Sequence, residues 1–175
     1  MTLLLKQLFG LIKLLNSDKG TNQIATGVVA GMILGFSPVL SLQSVLVFVC
    51  LFFFRIQIGA AFTTAFFFAI PAFLLDPVFH LIGSAILEME ALKPTFTTLY
   101  NMPIVPLTRF NNSVVMGAGV LAIVLAPVTY YVAKLLIISY RDKVVARFEK
   151  TKFWKAVKAT SFYQWYVKYE EYSGE

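Results

Sequence analysis

Long apolar stretches with no polar face dominate the middle of the chain. Between Ile24 and Leu87 the only residues that are formally charged at neutral pH are Arg55 and Asp76. About 20 consecutive apolar residues cross the hydrocarbon core of a bilayer, and this stretch is roughly three times as long. A soluble helix keeps a polar face towards water, and none is left over here. The pattern therefore predicts several membrane helices.

Prolines and an arginine divide this apolar block, residues 23–88, into shorter pieces. Proline lacks the backbone N–H and is favoured at the first position of a helix, so it marks where helices begin or bend. We interpret Pro38, Pro71 and Pro77 as helix breaks and Arg55 as a turn. The predicted helices cover about 23–36, 38–54, 57–70 and 77–88. Several of them are shorter than a full membrane span.

The segments that flank the block differ from it in pattern. Residues 1–16 are mostly apolar with one narrow polar stripe at helical spacing, which is typical of an amphipathic helix in the membrane interface. The membrane domain then covers 17–139. Within it, the proline-rich segment 89–112 predicts a loop with a short helix, and 113–139 is long enough to span a bilayer. The predicted fold class is an all-α membrane protein.

The C-terminal tail, residues 140–175, is basic and aromatic. Between Arg141 and Lys158, seven basic residues stand against two acidic ones, Asp142 and Glu149, and apolar residues are interleaved. This pattern favours a basic amphipathic helix on an anionic membrane surface. The alternative is a solvated charged helix that packs on the protein itself.

The distribution of Lys and Arg predicts the orientation. The tail holds eight of the fifteen basic residues and the stretch before Thr21 holds three, whereas the loop 89–112 contains only Lys93 and Arg109. Because cytoplasmic segments carry the excess of positive charge, we expect both termini in the cytoplasm and the loop on the opposite side of the membrane. If Arg55 marks a cytoplasmic turn, residues 23–54 return to the side of the membrane where they started. Residues 57–88 then cross the membrane once.

The overall composition excludes an ordinary soluble domain. Hydrophobic residues make up 58% of the chain and charged residues only 14%, against about 25% charged in soluble domains. The net charge of +6 is compatible with nucleic acid, but with this hydrophobicity it indicates membrane lipids as the partner and no nucleic acid. The lone Cys50 lies in an apolar run, so no disulfide framework is expected.

The sequence contains no pattern typical of a catalytic or metal site. It has no phosphate-binding glycine loop, no nucleophile elbow and no paired carboxylates. Its single histidine, His80, is far in sequence from its single cysteine. We therefore predict a protein that is not an enzyme and that has no catalytic residues, metal or cofactor.

Three glycines at a spacing of four form a smooth helix face. Gly27, Gly31 and Gly35 lie one above the other on the first predicted helix of the block. Small residues at this spacing let two helix backbones approach closely in a membrane. We expect this face to pack against another helix of the same chain, and a dimer contact is the alternative.

Two similar breaks, 39 residues apart, each place a capping side chain directly before a proline. They are Ser37-Pro38 and Asp76-Pro77. Ser or Asp at the N-cap followed by Pro is how a helix starts, so each break predicts a half-helix beginning inside apolar sequence. Paired broken helices aim unsatisfied N–H groups at a common site in several transporters, and such a site suits a phosphate. The alternative is that both caps start helices at an interface or at a buried bend.

The polar residues near these breaks are candidates for binding substrate. Asp76 and His80 share one helix face, and an ionisable residue within a membrane segment is a functional hypothesis by default; Asp76 acting only as a cap that His80 hydrogen-bonds is the alternative. Gln43 is a candidate for hydrogen-bonding a substrate or for packing between helices. Arg55 is either an interfacial anchor or a partner for lipid phosphate. The candidate set is Ser37, Gln43, Arg55, Asp76 and His80.

Residues 24–88 resemble a family of small bacterial membrane proteins, the domain of unknown function 2062. The resemblance rests on two groups of residues. In the first half they are Gly27, Gly31, Gly35-Phe36-Ser37-Pro38 and Leu42-Gln43-Ser44, and in the second half Phe54-Arg55-Ile56-Gln57, Pro71 and Pro77. The chain has Gln57 and Ile70 where the family usually has Asn, and Ser41 where it often has Gly.

The family has no established activity, but the resemblance implies a setting. A branch with this layout occurs in bacteria with outer membranes, often encoded beside a periplasmic AsmA-like, bridge-type lipid-transfer protein. The resemblance therefore implies an inner-membrane component of phospholipid transport or translocation that loads or accompanies such a partner. A small-solute or ion transporter using Asp76 and His80, and a non-transporting anchor for a partner protein, are the alternatives.

Overall fold

The computed structural model describes residues 20–38 and 40–145, together with Gln7 and Leu15. These residues form helices and no strand, which confirms the all-α prediction. The chain divides into two compact units, Met1–Ile137 and Ile138–Glu175. The helices are α1 (Thr21–Phe36), α2 (Leu42–Phe53), α3 (Ile58–Leu87), α4 (Lys93–Tyr100) and α5 (Ser113–Tyr140), with a 3-10 turn at Val105–Thr108 and a π-helical turn at Arg141–Val145.

Helices α1 and α3 run parallel and in close contact. A Cβ atom placed on Gly27 would lie 2.7 Å from the Cβ of Ala60, and one on Gly35 would lie 2.7 Å from the Cβ of Phe68. Both pairs are separated by 33 residues, so the two helices keep one register over this length. Between them, the hydroxyl of Thr64 is satisfied by its own helix, where it donates to the carbonyl oxygen of Ala60 over 2.6 Å. The glycine face of α1 therefore packs within the chain.

Helix α2 leads the chain back to the level at which α1 began. It follows α1 after a short turn, and it buries Val47 against Ala30 of α1 and Ala61 of α3. At about 1.5 Å per residue, α1 is about 24 Å long and α2 about 18 Å, whereas α3 is about 45 Å long. The α1–α2 hairpin therefore starts and ends beside the start of α3 and reaches only about half of its length.

Helix α5 runs antiparallel to α3. A Cβ atom on Gly83 would overlap the carbonyl of Ser113, and one on Gly117 would overlap the carbonyl of Phe79, so the two backbones touch at this crossing. The core lies between α1, α3 and α5. At its centre the ring of Phe79, which is fully buried, lies 5.3 Å from the ring of Phe36.

Two helices are long and apolar enough to cross a membrane. They are Ile58–Leu87 and Ser113–Lys143, and only 28% and 17% of their most apolar windows are buried within the structure. The core helix of a soluble protein would be mostly buried, whereas these helices present large apolar side chains outwards. The combination indicates a membrane protein whose outer surface faces lipid.

Two of the three proline breaks expected from the sequence are wrong. Pro71 and Pro77 both lie inside the continuous helix α3, so no helix starts at Asp76-Pro77. The break at Pro38 is real, but α2 begins later, at Leu42, and its N-cap is Ser41. Membrane helices tolerate proline because neighbouring helices and polar side chains compensate for the hydrogen bond that proline cannot make.

The segment between α3 and α5 contains the expected short helix, α4. After the 3-10 turn, Arg109 adopts a left-handed conformation with φ of 56°. In the second compact unit, residues 138–145 complete α5 and form the π-helical turn. The predicted interfacial helix at 1–16 and the predicted amphipathic tail after residue 145 lie outside the described residues, apart from Gln7 and Leu15.

Candidate functional site

The turn between α1 and α2 is a buried polar cluster in apolar surroundings. We call Ser37, Pro38, Ser41, Gln43 and Ser44 the hairpin tip. Ser41 and Ser44 are fully buried. The hydroxyl of Ser44 donates to the carbonyl oxygen of Pro38 over 2.9 Å, and the side chain of Ser41 accepts from the backbone N–H of Ser44 over 3.2 Å. These bonds satisfy backbone groups that water cannot reach.

Gln43 joins the hairpin tip to α5. Its Nε2 donates to the carbonyl oxygen of Val115 over 2.8 Å, 72 residues away along the chain. The side chain fits because Gly119 leaves space for it, since a Cβ atom on Gly119 would lie 2.8 Å from the Cδ of Gln43. The structure therefore shows the interhelical contact that the sequence left as one of two alternatives for Gln43.

Two buried oxygen atoms of the hairpin tip have no protein partner within the part of the chain that the structure describes. They are the Oγ of Ser37 and the Oε1 of Gln43. Ser37 is only 7% exposed, and it caps the C-terminus of α1 in an extended conformation. It is thus not the N-cap that the sequence suggested. A buried, unpaired hydroxyl is unfavourable by about 1–3 kcal/mol, so these atoms are available to a small polar ligand or a water.

A second polar group lies on the outer surface of α3. Asp76 and His80 are both exposed there. Asp76 is surrounded by large apolar side chains that are also exposed, among them Phe73 at 79% and Leu74 at 75%. Among the described residues, no side chain hydrogen-bonds or pairs with its carboxylate. The interpretation of Asp76 as a helix cap bonded to His80 is therefore wrong.

His80 is instead linked to the start of α5. Its Nδ1 lies 2.6 Å from the hydroxyl of Ser113, and 3.4 Å from that of Ser84 one turn further along α3. We call Asp76, His80, Ser84 and Glu88, which follow one another at intervals of four, the polar stripe. Residues at this interval lie on one helix face, so the stripe runs along α3 to its end.

The polar groups reach α5 at nearly the same place. Gln43 of the hairpin tip bonds to Val115, and His80 of the polar stripe bonds to Ser113, only two residues earlier. Arg55 is separate from both groups. It is exposed in the link between α2 and α3, beside the first turn of α1. Ser37 and Gln43 thus belong to the hairpin tip, and Asp76 and His80 belong to the neighbouring polar stripe. Arg55, the fifth candidate residue, lies at the other end of α3.

Sequence reasoning overlooked several residues of these groups. Ser41 and Ser44 stand three apart before an apolar run, which is the spacing of a helix cap and could have been recognised. Ser113 follows two asparagines at the start of the last span, where a cap is expected. The carbonyl of Val115 carries no signal in the sequence, because any residue supplies a carbonyl.

The described loop also forms an open groove of about 350 Å³ beside the end of α3. Its lining includes Leu87, Lys93, Phe96, Tyr100, Phe110 and Asn111. The rings of Phe96 and Phe110 lie 6.2 Å apart and form an apolar wall. The ammonium of Lys93 pairs with the carboxylate of Glu90 over 2.5 Å.

Comparisons with known proteins identify a bacterial family but name no activity. A protein of Treponema pallidum (strain Nichols), described only as uncharacterized, is 27% identical over 140 residues, which cover 79% of this chain and 85% of that protein. No solved structure matches the chain. The sequence model of a family described as uncharacterized proteins conserved in bacteria, DUF2062, matches residues 8–145. Because this match covers well over half of the chain, the protein belongs to the DUF2062 family.

Proposed function

We propose that the protein is an inner-membrane component of phospholipid transport, and that it moves lipid headgroups along the polar stripe on the outer face of α3. The observation that carries this proposal is the exposure of Asp76 and His80 on an apolar spanning helix. A charged side chain in the middle of a bilayer costs about 2.5–3.5 kcal/mol, so a charged residue at this depth is a functional candidate by default. A polar path that opens sideways to lipid suits a substrate that keeps its acyl chains in the membrane.

The depth of the stripe supports this route. Asp76 lies about 27 Å from the start of α3, which is about 5 Å beyond the helix middle. Glu88, at the other end of the stripe, caps the helix about 18 Å further on, outside a hydrocarbon core about 30 Å thick. The stripe thus leads from near the bilayer centre to the surface on the loop side.

The proposed topology has the α1–α2 hairpin entering the membrane without crossing it. The hairpin is about half as long as α3 and returns to its starting level. Helix α3 then crosses once and α5 crosses back. The Lys/Arg asymmetry assigns both termini to the cytoplasm and the loop 89–112 to the periplasm.

This orientation places the end of the polar stripe in the periplasm. A periplasmic partner there would collect lipid that leaves the stripe. The resemblance to the family branch described above favours a bridge-type, AsmA-like lipid-transfer protein as that partner. The proposed role is therefore to load phospholipid onto, or to accompany, this partner.

The test measures phospholipid movement by the full chain reconstituted in liposomes. Headgroup-labelled phospholipid reaching the outer leaflet is followed with a membrane-impermeant quencher. We expect Asp76→Asn and His80→Ala each to slow the movement at least tenfold, because the stripe loses its carboxylate charge in the first variant and its imidazole in the second. Asp142→Asn is the matched control, since it removes the same charge from an exposed position outside the stripe and should leave the rate unchanged.

Two outcomes would overturn the proposal. One is that liposomes containing the unaltered chain move lipid no faster than protein-free liposomes, whether or not a periplasmic partner is present. The other is a proton or ion current that depends on Asp76 while lipids stay in place, which would favour the small-solute or ion transporter instead.

A further inference from the structure

The loop groove is placed where lipid would leave the polar stripe. It is lined by Leu87, the last residue of α3, and Glu88 at the end of the stripe follows directly in the chain. In the proposed topology its depth is therefore that of the membrane surface, where headgroups lie. A volume of about 350 Å³ is sufficient for a headgroup, because small-molecule sites begin at about 300 Å³.

The lining of the groove combines one cation with polar and aromatic groups. Lys93 offers three N–H donors, Tyr100 a hydroxyl and Asn111 an amide. Phe96 and Phe110 provide the apolar wall, and Phe110 is only 6% exposed, so this wall is fixed by the fold. This lining is complementary to an anionic group attached to a hydrocarbon chain.

Lys93, the cation of the groove, is paired with Glu90, which an anionic ligand would replace. The side chains of Lys93 and Glu90 are 55% and 87% exposed, so their ion pair contributes little to stability. A phosphodiester in the groove presents two charged non-bridging oxygens, as the carboxylate does, and can replace it as the charge-assisted partner of Lys93. Glu90 therefore acts as an internal competitor for Lys93.

We propose that the loop groove binds the phosphate-bearing headgroup of a phospholipid, with Lys93 as the cation and Glu90 as its competitor. This inference rests on the proposed function, since it makes the groove the acceptor site at the end of the polar stripe. The phosphate could belong to a lipid or to a free phosphate ester. The apolar wall and the position at the membrane surface favour the lipid.

The experiment uses the full chain in nanodiscs that contain a photoreactive phosphatidylglycerol. Cross-links to the segment 87–111 are quantified by peptide mass spectrometry. We expect Lys93→Gln to lower this labelling about fivefold, the effect of one charge near an anionic surface, and Glu90→Gln to raise it by a similar factor. Lys134→Gln removes a cation near the end of α5 that is distant from the loop and should leave labelling of this segment unchanged.

Three results would overturn the proposal. The first is that the Lys93→Gln chain and the unaltered chain are labelled equally. The second is that a photoreactive diacylglycerol, which has no phosphate, labels the segment as strongly as the photoreactive phosphatidylglycerol does. The third is that soluble glycerol phosphate abolishes the labelling. The last result would assign the groove to a free phosphate ester. Labelling that depends on Lys93 while the liposome experiment shows no lipid movement would leave groove binding standing and overturn only the proposed transport, so the two failures are told apart.

Discussion

The backbone N–H of Gln57 donates a hydrogen bond to the carbonyl oxygen of Gln23 over 3.0 Å. This bond joins the residue before α3 to the first turns of α1. It shows that the chain, after the whole α1–α2 hairpin, is back at the level where the hairpin began. In the proposed topology this apolar block therefore crosses the membrane once, although it contains three helices.

The first prediction concerns the topology that follows from this bond. In a chain whose Cys50 is replaced by Ser, single cysteines at Gly20, Arg55 and Thr98 report on sidedness. We expect an impermeant maleimide to label Thr98→Cys in cells whose outer membrane alone is permeable. Gly20→Cys and Arg55→Cys should require disruption of the inner membrane. Labelling of Arg55→Cys together with Thr98→Cys would contradict the hairpin topology.

The second prediction concerns the packing of α1 on α3. A Cβ atom on Gly31 would overlap the hydroxyl of Thr64 and would lie 2.5 Å from the carbonyl oxygen of Ala61. Gly31→Ala should therefore lower the free energy of unfolding by about 1–3 kcal/mol, because the helices must separate. The exposed Gly59 in the first turn of α3 is the control, and Gly59→Ala should be neutral or stabilising by up to about 1 kcal/mol. Unfolding of detergent-solubilised protein measures both, and equal stability of the two variants would refute this packing.

The third prediction concerns the contact between Gln43 and Gly119. Gly119→Ala should displace the Gln43 side chain from the carbonyl oxygen of Val115, because the new methyl group would occupy its place. We expect Gly119→Ala and Gln43→Ala each to cost about 1 kcal/mol. The double variant should cost clearly less than the sum, with a coupling energy of at least about 0.5 kcal/mol. Additive effects would show that the two residues do not interact.

The fourth prediction concerns the C-terminal tail and comes from its sequence alone. Replacing Lys150, Lys152, Lys155 and Lys158 with Gln should weaken the binding of a peptide spanning 141–158 to anionic vesicles, by at most about 1 kcal/mol per charge. Vesicle sedimentation measures the partition. Equal binding of the unaltered peptide to neutral and anionic vesicles would disprove the membrane-surface hypothesis.

Some features of the fold follow directly from local patterns in the sequence. The last span was expected at 113–139 and is Ser113–Tyr140, because an uninterrupted apolar run has one stable form in lipid, the helix. The four-residue spacing of Gly27, Gly31 and Gly35 indicated a close helix contact, since only glycine leaves the backbone bare. The short helix in the loop also lies within the segment where it was expected.

The remaining features depend on what surrounds each residue in three dimensions. Pro71 and Pro77 read as breaks because proline cannot donate to the carbonyl four residues earlier, yet α3 continues through both, as packed membrane helices allow. Likewise Ser37 and Ser41 are equally good caps by residue type, and the fold of the hairpin selects Ser41. The sequence by itself thus determined that the apolar segments are helical and which face of α1 is smooth, but not that α3 is continuous. Only the tertiary structure decided that Asp76 is exposed, that Gln43 reaches Val115 and that His80 reaches Ser113, because these contacts join residues that are distant along the chain.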